Sequence, residues 1–160
     1  MAVVSGWGSG TTRIILCRYG QSASHMALMR IGDFAYPAIR WCDKPRGLCF
    51  SRDGSELLVA DTKNRRLCVL GVSDMCFLRV LVSGLPGFPT SIALHHGCLV
   101  CMCTNTGMHN SALLKVTEEG GKVSATPIVE FPGPGLSTAL AAVCGVGLFI
   151  HASSSLHVLS

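Results

Sequence analysis

The sequence predicts an all-β fold assembled from a repeated unit of short antiparallel strands. Apolar segments are only about four to eight residues long, rich in Val, Ile, Leu and Phe, and separated by Gly, Asp, Asn and Pro. That is the pattern of strands and turns. No window sustains apolar residues at i, i+3, i+4 and i+7 beyond two turns, so amphipathic helices are not expected. The third observation is internal similarity between residues 45–70 and 89–116.

The two stretches align from Pro45 with Pro89 through Leu48-Cys49-Phe50 with Ile92-Ala93-Leu94, then the turn at Asp53-Gly54 with Gly97. Leu57-Leu58-Val59 falls on Leu99-Val100-Cys101, Thr62 on Thr104, and Leu67 to Leu70 on Leu113 to Val116. The offset is 44 at the prolines and 42 at the threonines, which one short deletion in the turn explains.

Taken in order, residues 1–36 form a partial unit, in which Arg13 to Leu16 matches Arg66 to Val69 and Met26 to Ile31 matches Cys76 to Leu81. Residues 37–84 form a whole unit, with strands expected near Gly47–Ser51, Glu56–Ala60, Arg66–Val72 and Cys76–Val82. Residues 85–132 form the second whole unit, and 133–160 a second partial one. In that last piece Leu140 to Ala142, Leu148 to Ile150 and Leu156 to Leu159 take the places of the first three strands. The alanines of 137–143 favour helix weakly, but the repeat assigns them to a strand. Four antiparallel strands recurring every 40–45 residues are the signature of a β-propeller blade. About fourteen strands are expected, too few for a closed ring of 4 to 8 four-stranded blades. A fragment of a larger propeller is the preferred explanation, ahead of a homo-oligomer that completes one ring and a small propeller whose blades lack strands.

The run Pro45-x-Gly47-Leu-Cys-Phe-Ser-x-Asp53-Gly54, followed by Leu58-Val-Ala-Asp61-Thr-x-Asn64-x-Arg66-Leu67, resembles the NHL repeat of six-bladed propellers. The match is specific over residues 45–82 and decays in the second unit, where Ser91 replaces the glycine and Cys103 the aspartate. The resemblance implies a propeller across most of the chain. It also raises the ligands that such propellers take: protein partners, RNA on a basic face, or the substrates of lactonase, strictosidine-synthase-like and amidating-lyase-like enzymes. The motif also makes physical sense by itself. Asp53-Gly54 is expected to supply the positive φ angles of a tight hairpin turn. Asp61 and Asn64 stand at a strand end where their side chains can satisfy turn backbone, and Arg66 can reach back to a carboxylate or carbonyl. Structural roles are therefore expected for Pro45, Gly47, Asp53, Gly54, Asp61, Asn64 and Arg66.

Composition limits the remaining choices. The 160 residues are 49% hydrophobic and 14% charged, which excludes disorder and leaves few charges to cover an isolated globule. The net charge of +4 is mild for a nucleic-acid binder. Basic residues do gather at Arg40, Lys44, Arg46, Arg52, Lys63, Arg65 and Arg66, and Arg46, Arg52 and Arg65 mark a candidate binding surface. Residues 131–160 contain no Lys, Arg, Asp or Glu. The best window there, Leu136 to Ala152, is shorter than the roughly 20 residues of a membrane helix and is broken by Gly145 and Gly147, so no span is expected. Nine cysteines, an odd number within apolar runs and without a signal peptide, point to a reducing, intracellular compartment.

No constellation amounts to a catalytic set. Cys98, Cys101 and Cys103 follow His95 and His96, but on a strand Cys101 and Cys103 face one way and Cys98 the other, so no metal site is expected. His96 and His151 fall at inequivalent repeat positions, and no carboxylate recurs at one position as a calcium site in a propeller channel requires. The glycine runs at 6–10 and 133–135 lack the strand, helix and acidic residue of a dinucleotide site, and residues 20–24 miss the nucleophile elbow. The expectation is a non-catalytic interaction or scaffold module without a cofactor.

Overall fold

The computed structural model describes residues 2–6, 13–19, 26–33, 42–73, 76–105, 110–132, 139–143, 147–152 and 155–159, the first three segments as backbone only. Arg40, His25, His109 and Cys144 lie outside the described residues. Every regular element among the described residues is a strand. β1 (Ala2–Gly6), β2 (Arg13–Tyr19) and β3 (Met26–Asp33) form a three-stranded sheet. β4 (Leu48–Phe50), β5 (Glu56–Asp61), β6 (Arg66–Gly71) and β7 (Phe77–Ser83) form a four-stranded one. A second four-stranded sheet follows from β8 (Phe88–His95), β9 (Cys98–Asn105), β10 (Asn110–Glu119) and β11 (Lys122–Pro132). β12 (Ala139–Val143), β13 (Gly147–Ala152) and β14 (Ser155–Leu159) complete the set. All pairings are antiparallel and run between sequence neighbours, as hairpin connections require.

The turns follow local chemistry. His96-Gly97 and Gly120-Gly121 are two-residue loops with both residues at positive φ, the geometry that matches strand twist. The loop between β4 and β5 differs from the expected two-residue turn. Only Gly54 is at positive φ (74°), Gly54 N–H donates to the Ser51 carbonyl (3.0 Å), and residues 52–55 form a four-residue loop. Asp53 contributes as an acceptor: its carboxylate takes bonds from Ser51 Oγ (2.7 Å), Ser55 N (3.1 Å) and Ser55 Oγ (2.8 Å). The Ser51 hydroxyl, then the Ser55 backbone and hydroxyl, hold the Asp53 carboxyl down to about 2.

Strand alternation sends successive side chains to opposite faces, and each face packs on a neighbouring sheet. Leu58, Ala60 and Leu67 of the first four-stranded sheet meet Ile92, Cys101, Cys103 and Leu114 of the second. The second sheet's other face, Val100, Met102 and Leu113, meets Leu148 and Ile150 of β13. Leu57, Val59, Cys68 and Leu70 form a third cluster on the opposite face of the first four-stranded sheet. Each fully buried aliphatic side chain contributes about 1.5–3 kcal/mol, so cohesion between sheets is set by these layers. β8 lies against β4 and β5 on one side and β12 on the other, while β7 adjoins β11. First strands thus gather at one edge of the stack and fourth strands at the other.

The repeat's glycine and threonine act at these contacts. A Cβ on Gly47 would lie 2.7 Å from Ser91 Cα, so only glycine lets the segment entering β4 approach the β8 backbone. Thr62 Oγ1 donates to the Pro89 carbonyl of the next sheet at 2.7 Å. Ser91, which stands where the first unit has Gly47, accepts from Leu140 N of the following sheet at 3.1 Å.

Residues 139–143 are strand despite their alanines, because pairing with β13 outweighs a weak propensity. No helix among the described residues is long and apolar enough to cross a membrane.

Candidate functional site

The densest polar arrangement is centred on Asp61, the last residue of β5. Asp61 pairs across the hairpin with Arg66, and Val59 pairs with Cys68, so the β5–β6 register puts the Asp61 and Cys68 side chains close together at one end of the sheet. The segment preceding β4 runs back along this end: Ala60 N–H donates to the Gly47 carbonyl (2.8 Å), Arg46 N–H to Ala60 (3.1 Å), and Lys63 N–H to Asp43 (3.0 Å). Cys42 arrives beside Cys68 in this way.

The Asp61 carboxylate is fully buried. Its Oδ1 accepts from Asp43 N (2.7 Å) and its Oδ2 from Arg66 Nε (2.7 Å), while Asn64 Nδ2 spans both oxygens at 3.1 and 2.9 Å. Cys68 Sγ lies 3.9 Å from Oδ2. Asp61, Asn64 and Arg66 therefore form one network, with Asp61 tying down the backbone of the entering segment. Cys42, Asp61 and Cys68 each bring a potential metal-ligand atom, all within 4.8 Å of one another. The hydrogen bond between the two thiols, then burial and the Asp61 charge, raise the Cys42 thiol far above its ordinary range. The same bond, aided by Arg66 and opposed by burial, lowers Cys68.

The other expected residues separate into two places. Pro45 and Gly47 are buried beside this network, whereas Asp53 and Gly54 belong to the loop at the far end of the sheet. The candidate surface divides in the same way: β4 carries the chain from Arg46 at one end to Arg52 at the other, so these two do not share a surface. Arg46 is instead joined by Lys44, Lys63 and Arg65, all exposed. Arg65 sits at positive φ (50°) with its guanidinium carbon 5.6 Å from the centre of the Phe88 ring.

Cys101 and Cys103 face the same way, their sulfurs 3.9 Å apart in the apolar layer between the two four-stranded sheets, with Cys98 at the strand's start. Their thiol contact and burial raise Cys101 well above its usual value. His95 and His96 meet edge to face across the β8–β9 turn. His151 lies in β13, away from both.

Sequence reasoning missed the Cys42–Asp61–Cys68 group. Hairpin register alone brings Cys68 near Asp61, but Cys42 enters through a backbone path that no spacing rule reveals.

No family model matches the sequence, and no curated protein is similar to it at a significant level. Solved structures do resemble the fold. A luciferin-regenerating enzyme superposes with a TM-score of 0.53 at 14% identity, over 89% of this chain and 44% of that one. Regucalcin from Agrobacterium tumefaciens, a calcium-binding protein, gives 0.48 at 16% identity over 88% and 43%. Hydrazine synthase from Kuenenia stuttgartiensis gives 0.48 at 11% over 93% and 43%. The chain thus spans less than half the length of each. Three consecutive antiparallel sheets, β4–β7, β8–β11 and β12–β14, stacked face to face with their first strands together, make this chain an open arc of a β-propeller.

Proposed function

We propose that the chain is a non-catalytic interaction module, an arc of NHL-like blades within a larger propeller, that presents the basic end of its first four-stranded sheet to an acidic protein partner. The observation that carries this reading is the gathering of Lys44, Arg46, Lys63 and Arg65 on one backbone frame, where Asp43 is the one exposed acid of the described segments 42–47 and 61–66. Such a patch steers an acidic surface by complementarity. The Asp61–Asn64–Arg66 network supports the NHL-like reading, since it gives each of those motif positions a structural task.

Incompleteness of the ring has support in β14. Leu156 and Val158 are 67% and 52% exposed, whereas Leu67 and Val69 at the equivalent positions of β6 are fully buried under β7 and the adjoining layers. A further strand and blade, or a second copy of the arc, would cover them. Cys68, Cys101 and Cys103 are buried thiols outside any disulfide, which supports a reducing, intracellular setting.

A propeller enzyme would place carboxylates or histidines on the first strands, where a channel opens. Among β4, β8 and β12 there is no Asp or Glu and one histidine, His95. This favours the interaction reading over a lactonase-like one.

Fluorescence anisotropy with a Glu-rich peptide and with a U-rich single-stranded RNA of equal charge tests the proposal. The peptide should bind with strong salt dependence and lose at least about tenfold in affinity on Arg46→Glu with Arg65→Glu. Arg52→Glu, at the opposite end, should leave it unchanged. Tighter binding of the RNA at the same residues would assign the surface to RNA instead. Equal losses from Arg52→Glu, or no binding at low salt, would overturn the reading.

A further inference from the structure

The geometry points to a binding site for a soft divalent cation, zinc above all, formed by the thiolates of Cys42 and Cys68 and the carboxylate of Asp61. Three ligand atoms from three separate stretches of chain converge within 4.8 Å: the segment entering β4, the end of β5, and β6. A tetrahedral zinc ion with Zn–S near 2.3 Å and Zn–O near 2.0–2.2 Å needs its ligand atoms about 3.5–3.8 Å apart. The Cys68–Asp61 separation of 3.9 Å already meets this within a few tenths of an ångström, and the widest pair must close by about 1 Å. Cys42 is only half-buried, so a cation can enter from its side and a water molecule can take the fourth position.

The surroundings suit the ion. Two thiolates and a carboxylate bring three negative charges against two on the metal, and Arg66, already bonded to Asp61 Oδ2, supplies the remaining positive charge. A neutral cluster is the arrangement that a buried site tolerates. Asn64 and the Asp43 N–H fix the carboxylate's orientation, as outer partners do for metal-bound carboxylates. Thiolate ligands select zinc over calcium or magnesium. The site is distinct from the Cys101–Cys103 pair, which lies in an apolar layer where no third potential ligand joins the two sulfurs among the described residues.

The test is titration of the full chain, purified and held under a phosphine reductant, with Co(II) followed by Zn(II). One equivalent of Co(II) should produce the sulfur-to-metal charge-transfer band of two thiolates, and zinc should abolish it. Cys42→Ser, at a half-buried position, should remove at least half of the band; Cys68→Ser should do the same. A Cys101→Ser, Cys103→Ser double variant should keep it whole, and Asn64→Ala should weaken affinity about 10–100-fold. Absence of the band, its survival in both Cys42→Ser and Cys68→Ser, or its loss in the Cys101→Ser, Cys103→Ser variant would each overturn the assignment.

Discussion

Replacing Asp61 by Asn changes one oxygen for an amide and leaves the shape intact, so it isolates the charge and hydrogen bonding of the network. In the native sheet, Oδ1 faces the Asp43 N–H and Oδ2 faces Arg66 Nε, with Asn64 donating to both. Whichever way the new amide turns, its NH2 group meets a donor. The variant therefore loses at least one charge-assisted bond, worth about 1.5–3 kcal/mol. It also leaves Arg66, whose side chain is 20% exposed, without its carboxylate. Removing one member of a buried pair costs about 3–5 kcal/mol, and the partial access of water to Arg66 brings the expectation for Asp61→Asn to about 2–4 kcal/mol. Urea unfolding in metal-free buffer measures it. The cycle with Arg66→Ala should return a coupling of about 1.5–3 kcal/mol, because once the carboxylate is gone the guanidinium has less to lose. The next blade holds Cys103 at the position of Asp61 and buries it among apolar side chains, so an apolar solution exists and Asp61→Cys combined with Arg66→Ala should recover part of the loss. A cost below about 1 kcal/mol for Asp61→Asn, or a coupling near zero, would refute the role given to this carboxylate.

Gly47→Ala should lower stability by about 1–3 kcal/mol through overpacking, since its Cβ would strike the Ser91 backbone at 2.7 Å; urea midpoints against wild type measure it. Gly54→Ala, with nothing within 4 Å of the new atom but a φ of 74°, should cost about 1–2 kcal/mol from the left-handed backbone alone. Thr62→Val removes the 2.7 Å bond to the Pro89 carbonyl between sheets and should cost about 1–3 kcal/mol, with hydrogen exchange accelerating in both adjoining sheets. Asp53 has a carboxyl depressed from 3.8 to about 2 in the folded chain, so its contribution is present above the unfolded value and is lost as pH falls through the folded one. Stability measured from pH 5 to pH 2 should fall less steeply in Asp53→Asn than in wild type.

The strands of the whole units were legible because their signals are local. Expected strands at Glu56–Ala60 and Arg66–Val72 appear as Glu56–Asp61 and Arg66–Gly71, since short continuous apolar runs bounded by turn residues mark strands buried on both faces. Arg66 reaching back to a carboxylate was equally readable, because five residues and one hairpin separate it from Asp61. The divided basic surface was misread: Arg46 and Arg52 are near in sequence, yet the intervening strand β4 carries them to opposite ends of the sheet. Cys42 was not legible at all. Its approach to Cys68 depends on the bonds of Arg46 and Lys63 to the β5 end, and no periodicity in residues 42–47 encodes that path. The roles of Gly47 and Thr62 in joining sheets also emerge only when the next sheet is in place.

The claim on which the rest depends is that this chain is a propeller arc whose sheet faces require neighbours, and sedimentation across a concentration series tests it most directly. Self-association that Leu156→Lys with Val158→Lys reverses to monomer is the predicted result, because those substitutions charge the uncovered face of β14. A compact monomer at every concentration, with the same mass and shape after both substitutions, would contradict it.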